Sequence, residues 1–128
     1  MDARLTKKIA VKFESLSVAD EANLRAFIQR ELVQRNVAID AADTAEKMRR
    51  EVFRVVFNHM KIKVVTEATE KVPQSQMEVS LEDLSVGGCC IGVAQNQPIV
   101  KGVTIYLTLH FCQPPLSVRG TVLGLRRD

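Results

Sequence analysis

One short stretch of this chain concentrates side chains that bind phosphate. Arg49, Arg50 and Arg54 fall within six residues, directly before a strand-like run. Guanidinium groups bind phosphate oxygens two at a time and also lie flat on aromatic bases. The cluster therefore favours a nucleotide phosphate as ligand, although short arginine clusters are also common on solvated faces.

A second stretch, about thirty residues downstream, contains Asp83 and Ser85 followed by Gly88. A carboxylate and a hydroxyl can accept and donate hydrogen bonds at the polar edge of a base. The same two side chains could instead cap the adjacent glycine turn. Because both stretches flank predicted strands and occur in this order, we expect them to form one binding site.

Length and composition bound the class of protein. The 128 residues fit one domain, and 46% hydrophobic with 26% charged residues is ordinary globular composition. No apolar run approaches the roughly 18 residues of a membrane helix. Since the N-terminus has no apolar stretch after its charges, no signal peptide is predicted, and we expect a cytoplasmic protein without membrane insertion.

Net charge and the spacing of the cysteines limit the class of ligand and the kinds of site that the chain can form. The net charge is +3, with 18 basic residues interleaved among 15 acidic ones, which favours a small anionic ligand over a nucleic acid. Cys89, Cys90 and Cys112 show no CxxC spacing, and His59 and His110 fall on alternating strand positions away from any cluster of cysteines or acids. We expect no metal site and no cofactor. No catalytic spacing is evident either, so no enzyme is predicted.

Residue patterning predicts six strands and one helix. Period-two alternation predicts a first strand at 8–14, and Ser17 is a suitable N-cap for an amphipathic helix at 18–35 that packs on the core as a lid. Residues 36–48 form a predicted connector. The five remaining strands are predicted at 55–65, 77–82, 89–93, 103–111 and 116–125. Six short strands separated by turn signals indicate a small barrel or sandwich.

The spacing Arg50-x-x-x-Arg54, followed by Asp83-x-Ser85-x-x-Gly88, resembles the paired signature of PilZ domains, bacterial receptors for the second messenger cyclic di-GMP. The resemblance covers residues 48–127. It implies a six-stranded antiparallel β-barrel with one helix. Family members usually end with a further strand and helix, and this chain stops before them.

Residues 10–17 and 24–28 look like that missing tail placed at the front of the chain. The order could be a circular permutation, a strand exchanged in a homodimer, or the remnant of a preceding tandem domain. We favour completion of the barrel, because five strands alone would expose an unpaired edge. The expectation is a single domain over 1–128, with 1–35 completing the barrel and 49–128 carrying both motifs.

The resemblance implies a role for each motif residue. Arg50 and Arg54 would hold phosphates and guanine faces, Asp83 and Ser85 would bind a guanine edge, and Gly88 would allow close backbone approach. Ligand binding would order the connector and signal to a protein effector.

A long side chain at the position of Arg49 is associated in the family with a stacked pair of ligand molecules. We therefore expect two cyclic di-GMP molecules per chain.

Two alternatives from other classes stay open. A small barrel that binds single-stranded nucleic acid needs aromatic stacking platforms, for which only Phe53, Phe57, Tyr106 and Phe111 are available, and no basic groove is evident. A degenerate PilZ-like domain could act only in protein interactions. The intact motif residues argue against degeneration.

Overall fold

Six strands and one helix make up the described part of the chain. The structure is a computed structural model, and it describes residues 6–34, 54–68, 73–95, 97 and 99–125. The elements are β1 (Thr6–Phe13), α1 (Val18–Gln34), β2 (Val55–Thr66), β3 (Ser75–Leu84), β4 (Gly88–Ala94), β5 (Thr104–Leu109) and β6 (Leu116–Leu125). Their order along the chain agrees with the sequence pattern. The connector predicted at 36–48 lies outside the described residues.

The strands close into an antiparallel barrel in the order β1-β4-β3-β2-β5-β6. β1 lies between β4 and β6 of the same chain, with Val11 opposite Cys89 on one side and Phe13 opposite Gly120 on the other. The predicted six-stranded barrel is confirmed, and the first strand pairs with the last to complete it. Each of the six described strands therefore has a paired neighbour on both sides. Circular permutation and the division into segments stay predictions.

The first strand follows its predicted alternation. Ile9, Val11 and Phe13 are buried in the core, while Lys8 and Lys12 are exposed. Successive side chains of a strand point to opposite faces, so one face of β1 fills the barrel interior and the other faces outward. β1 therefore supplies both core and surface to the barrel.

The helix begins as predicted and covers one end of the barrel. The Asp20 backbone N–H donates to Ser17 Oγ at 3.0 Å, which is the expected N-cap. The buried side chains of the helix are Leu24, Phe27, Ile28 and Leu32. They join the barrel core, so the prediction that α1 packs as a lid is confirmed. No helix in the described ranges is long and apolar enough to cross a membrane.

An aromatic cluster attaches the helix to the barrel. The ring of Phe27 lies 4.6 Å from that of Phe111 and 6.3 Å from that of Phe57, centroid to centroid. Phe111 was predicted inside the fifth strand, and that boundary is wrong. β5 ends at Leu109, where the Cys112 N–H donates to the Leu109 carbonyl in a turn that carries Phe111 to the helix.

The two glycines of β6 differ in their roles. Gly124 has a φ of 135° and lies at the register shift between β1 and β6, so it is a bulge position. Gly120 pairs regularly with Phe13. A Cβ there would lie 2.6 Å from Val11 Cγ1, so Gly120 is required by packing rather than by a bend.

Gly88 supports a testable prediction about barrel closure. A Cβ on Gly88 would lie 2.2 Å from the Val11 carbonyl oxygen, so alanine would force the β1 backbone away from β4. We expect Gly88→Ala to lower the free energy of unfolding by about 2–3 kcal/mol. Urea denaturation followed by circular dichroism measures this change.

Gly92→Ala is the matched control on the same strand. Its nearest neighbour would be Glu82 Oε2 at 3.3 Å, the end of a flexible side chain. The loss there should stay within about 1 kcal/mol. Equal losses for the two variants would contradict the close backbone contact at Gly88.

Candidate functional site

The ends of β1, β2, β3 and β4 that concern the two motifs lie at the end of the barrel that α1 covers. Because neighbouring strands are antiparallel, β1 and β3 end there, and β2 and β4 begin there. Arg54 directly precedes β2, where Val55 lies opposite Leu84 and Val56 opposite Asp83. The two sequence motifs are therefore brought together by strand pairing.

Arg54 and Asp83 form the central contact of the site. Arg54 Nη1 donates to Asp83 Oδ1 at 2.9 Å. The Asp83 side chain is only 9% exposed, whereas the Arg54 side chain is 42% exposed. The pair combines a charge-assisted hydrogen bond with partial burial, which holds the guanidinium at the rim of the barrel. The predicted meeting of the two motifs is observed for these two residues.

A bulge in β3 explains why Asp83 reaches the rim. The register against β4 shifts between Leu81 and Asp83, so Glu82 is an extra residue in the strand. Leu81 and Leu84 are both fully buried in the core, three positions apart, which strict alternation would not allow. The bulge shifts the alternation of buried and outward side chains along β3, so the Asp83 carboxylate points towards Arg54 instead of into the core. The sequence pattern predicted a turn at Asp83 and did not reveal the bulge.

Ser85 caps the turn between β3 and β4. Its backbone N–H and its hydroxyl both donate to the Gly88 carbonyl, at 2.8 Å and 3.2 Å. The side chain is fully buried. Of the two side chains that could cap the glycine turn, Ser85 does so, whereas Asp83 bonds to Arg54. This geometry makes Ser85 a residue that shapes the site.

A glycine lets another group approach its backbone closely. In the structure, the group that approaches Gly88 is the backbone of β1. Its φ lies outside the left-handed region, and its Cα faces the Val11 carbonyl. The Phe13 N–H donates to the Gly87 carbonyl at 2.8 Å in the same contact. Gly88 therefore has a role in closing the barrel in addition to any role towards a ligand.

Arg49 and Arg50 lie outside the described residues, so their part in the site stays a prediction. Arg54 continues that segment into β2.

A surface depression of about 300 Å³ lies beside Arg54. Its lining includes Arg54, Gly87 and Gly88 from the motif region, and Ala10, Lys12 and Leu123 from β1 and β6. A larger groove of about 690 Å³ shares Lys12, Gly87 and Leu123 with it and extends towards α1. The sequence pattern did not identify Lys12 or Leu123, because only tertiary pairing brings them to the motifs.

All three cysteines are buried and free. Burial raises the pKa of Cys89 far above its ordinary value, with Asp83 and Cys90 adding to the rise and Arg54 opposing it. Burial also raises the pKa of Cys112, to about 11. Within the described ranges, His, Cys, Asp and Glu form no group of three or more suited to a metal ion. The structure thus gives these thiols a packing role.

A comparison with protein-family models matches residues 48–128 to the PilZ domain. The chain therefore belongs to the PilZ family, as the motif resemblance indicated. PilZ domains form a family of cyclic di-GMP receptors, which bind a ligand and are not enzymes. Searches of curated proteins and of solved structures found no match. The matched stretch includes Arg54, Asp83, Ser85 and Gly88 but neither β1 nor α1.

The buried thiols give a prediction for chemical reactivity. The thiolate is the reactive form, so a raised pKa and lack of access both slow modification. We expect iodoacetamide at about pH 8 to leave the native thiols largely unmodified and to alkylate all three in denaturant, as counted by mass spectrometry. Rapid modification of Cys89 in the native protein would contradict its burial beneath the site.

Proposed function

We propose that this chain is a cyclic di-GMP receptor that changes conformation on binding and relays the signal to a protein partner. The observation that carries the proposal is the Arg54–Asp83 contact at the barrel rim. It joins the two motif regions in one place, beside a surface depression of about 300 Å³ that Arg54 helps to line. The PilZ family match supports the choice of ligand.

The chemistry of the ligand fits these side chains. Cyclic di-GMP has two phosphates and two guanines on a closed ring. Arginine binds phosphate through paired N–H groups, and a carboxylate accepts hydrogen bonds from the guanine edge. In the proposal, Arg50 and Arg54 bind phosphates and guanine faces, while Asp83 and Ser85 bind or support the contact to a guanine edge.

Arg54 can still bind a ligand phosphate while it is paired with Asp83. A guanidinium has five N–H donors, and the bond to Asp83 uses one of them. The exposed part of the side chain can therefore meet a phosphate while Asp83 holds it in place. This preorganisation reduces the entropy lost when the ligand binds.

The relay is proposed to run through the chain between the helix and the barrel. That chain leads from the end of α1 at Gln34 to Arg54, and it carries Arg49 and Arg50. A ligand held by these arginines and by the β3–β4 turn would fix the connector against the barrel. Such ordering of a segment is a common form of signal output, here directed to a protein effector.

Several aromatic side chains that single-stranded nucleic acid would need are committed to other contacts. Phe57 and Phe111 pack together, 5.5 Å between ring centroids, and both pack against Phe27 of the helix. The Tyr106 hydroxyl donates to Glu67 Oε2 at 2.7 Å. Phe53 lies outside the described residues. Stacking platforms for successive bases are therefore not grouped among the described residues, which favours the cyclic dinucleotide.

Isothermal titration calorimetry with cyclic di-GMP tests the binding site. We expect Arg50→Ala, Arg54→Ala and Asp83→Ala each to weaken binding by about tenfold to a hundredfold, because each removes a charge-assisted hydrogen bond. Thermal unfolding of each variant shows whether the barrel remains folded.

Lys61→Ala is the matched control for charge. Lys61 is exposed on β2, seven positions beyond Arg54, and should leave binding unchanged. An excess of single-stranded DNA should not displace the ligand. If wild-type protein binds no cyclic di-GMP, or if the three site variants bind as wild type does, the proposed function is wrong.

Stoichiometry tests the proposed role of Arg49. We expect two cyclic di-GMP molecules per chain in wild type and one in Arg49→Ala, because the resemblance associates a long side chain there with a stacked ligand pair. Titration calorimetry at known active concentration gives this ratio. One ligand per wild-type chain would contradict the stacked pair and leave the receptor function intact.

A further inference from the structure

We propose that Lys12, on β1, is an additional phosphate-binding residue of the same site. This inference rests on the proposed function, and it concerns a residue outside the stretch that matches the PilZ family. Arg50 and Arg54 belong to the motifs, whereas Lys12 reaches the site only because β1 closes the barrel. The first strand would thus contribute to ligand binding as well as to the fold.

Strand register places Lys12 at the turn that carries the second motif. Lys12 lies opposite Gly88 of β4, and the next residue, Phe13, donates its N–H to the Gly87 carbonyl at 2.8 Å. Gly88 has no side chain that could stand beside that of Lys12 across the strand pair. Lys12 is exposed and lines the depression together with Arg54 and Gly88.

The position of Lys12 adds a second cation to the site. Arg54 enters from β2, and Lys12 lies on β1, while β3, β4 and the turn between them separate these two strands. The two cations therefore approach the depression from different sides. Such an arrangement suits a ligand with two phosphates, since each cation can bind a different one.

Charge pairing distinguishes Lys12 from the other lysines of β1. Lys7 Nζ donates to the carbonyls of Gln97 and Ile99 at 3.0 Å and 3.3 Å. Lys8 Nζ lies 3.9 Å from Glu82 Oε1. Lys12 makes no ion pair within the part of the chain that the structure describes. Its ammonium is therefore available to an anionic ligand.

Nearby carboxylates do not compete for this ammonium. Glu21, which lines the adjoining groove, accepts hydrogen bonds from Arg25 Nε and Nη2 at 3.2 Å and 3.0 Å. Glu14 accepts a hydrogen bond from the Thr121 hydroxyl and lies 3.9 Å from Arg119 Nε. Both acids in this part of the groove already have donors. Neither carboxylate is paired with the Lys12 ammonium.

Titration of Lys12→Met with cyclic di-GMP tests the inference, with Lys8→Met as the matched control. Both lysines are exposed on the same strand, and both lie opposite a glycine of β4, Gly88 for Lys12 and Gly92 for Lys8. They are four residues apart, about 13 Å along the strand. The two variants remove the same charge from the same strand, near the site and away from it.

We expect Lys12→Met to weaken binding by about fivefold and to reduce the dependence of the dissociation constant on salt, as loss of one partly exposed phosphate contact would. Lys8→Met should match wild type in both respects. Lys12→Arg, which keeps the charge, should bind within about twofold of wild type. Thermal unfolding of each variant checks the barrel independently of binding.

The outcomes separate this inference from the proposed function. If wild type binds cyclic di-GMP and Lys12→Met binds with the same affinity and the same salt dependence, Lys12 is not part of the site and the receptor function stands. Equal weakening in Lys12→Met and Lys8→Met would also overturn the inference, since it would reflect net charge alone. If wild type does not bind, the proposed function itself fails.

Discussion

Closure of the barrel by β1 is the constraint on which the rest of the structure depends. Without this strand, β4 and β6 would each present an unpaired edge. The contact is tight, because the Val11 carbonyl occupies the space where a side chain on Gly88 would lie. The same contact fixes the turn that follows Ser85. Fold closure and the shape of the candidate site thus share one backbone interface.

Irregularities in β2 and β3 place the polar side chains of the candidate site at the rim of the barrel. Because Glu82 is an extra residue in β3, the Asp83 side chain does not point into the core. The next side chain, that of Leu84, is again buried in the core. A second irregularity, between Val56 and Met60 of β2, accompanies the packing of Phe57 against the helix. Bulges often re-aim side chains next to functional sites, and here they divide one barrel end between a polar rim and an apolar lid.

The helix and the site occupy the same end of the barrel, which gives the proposed signalling a physical basis. Phe27 packs against Phe57, three residues beyond Arg54, and the Asn23 side chain donates to the Pro114 carbonyl at 2.8 Å. A change at the rim is thus close to the contacts that hold the lid. Family membership identifies the class of ligand.

Much of the local structure follows from the sequence by itself. Alternation of Ile9, Val11 and Phe13 predicted the first strand, the Ser17 cap predicted the helix start, and the spacing of Arg50, Arg54, Asp83, Ser85 and Gly88 predicted the family. These features depend on neighbours a few residues away or on a motif that is contiguous in the chain. The predicted end of β5 was wrong because a turn and aromatic packing, rather than alternation, end that strand at Leu109.

Only the tertiary structure decided which distant side chains share a surface. The Arg54–Asp83 bond requires β2 to pair with β3, and the approach of Lys12 requires β1 to pair with β4 across most of the chain length. A bulge such as that at Glu82 leaves no mark in the residue pattern, because it is set by the register of the partner strands. The sequence determined which groups were available, and closure of the barrel determined which of them meet.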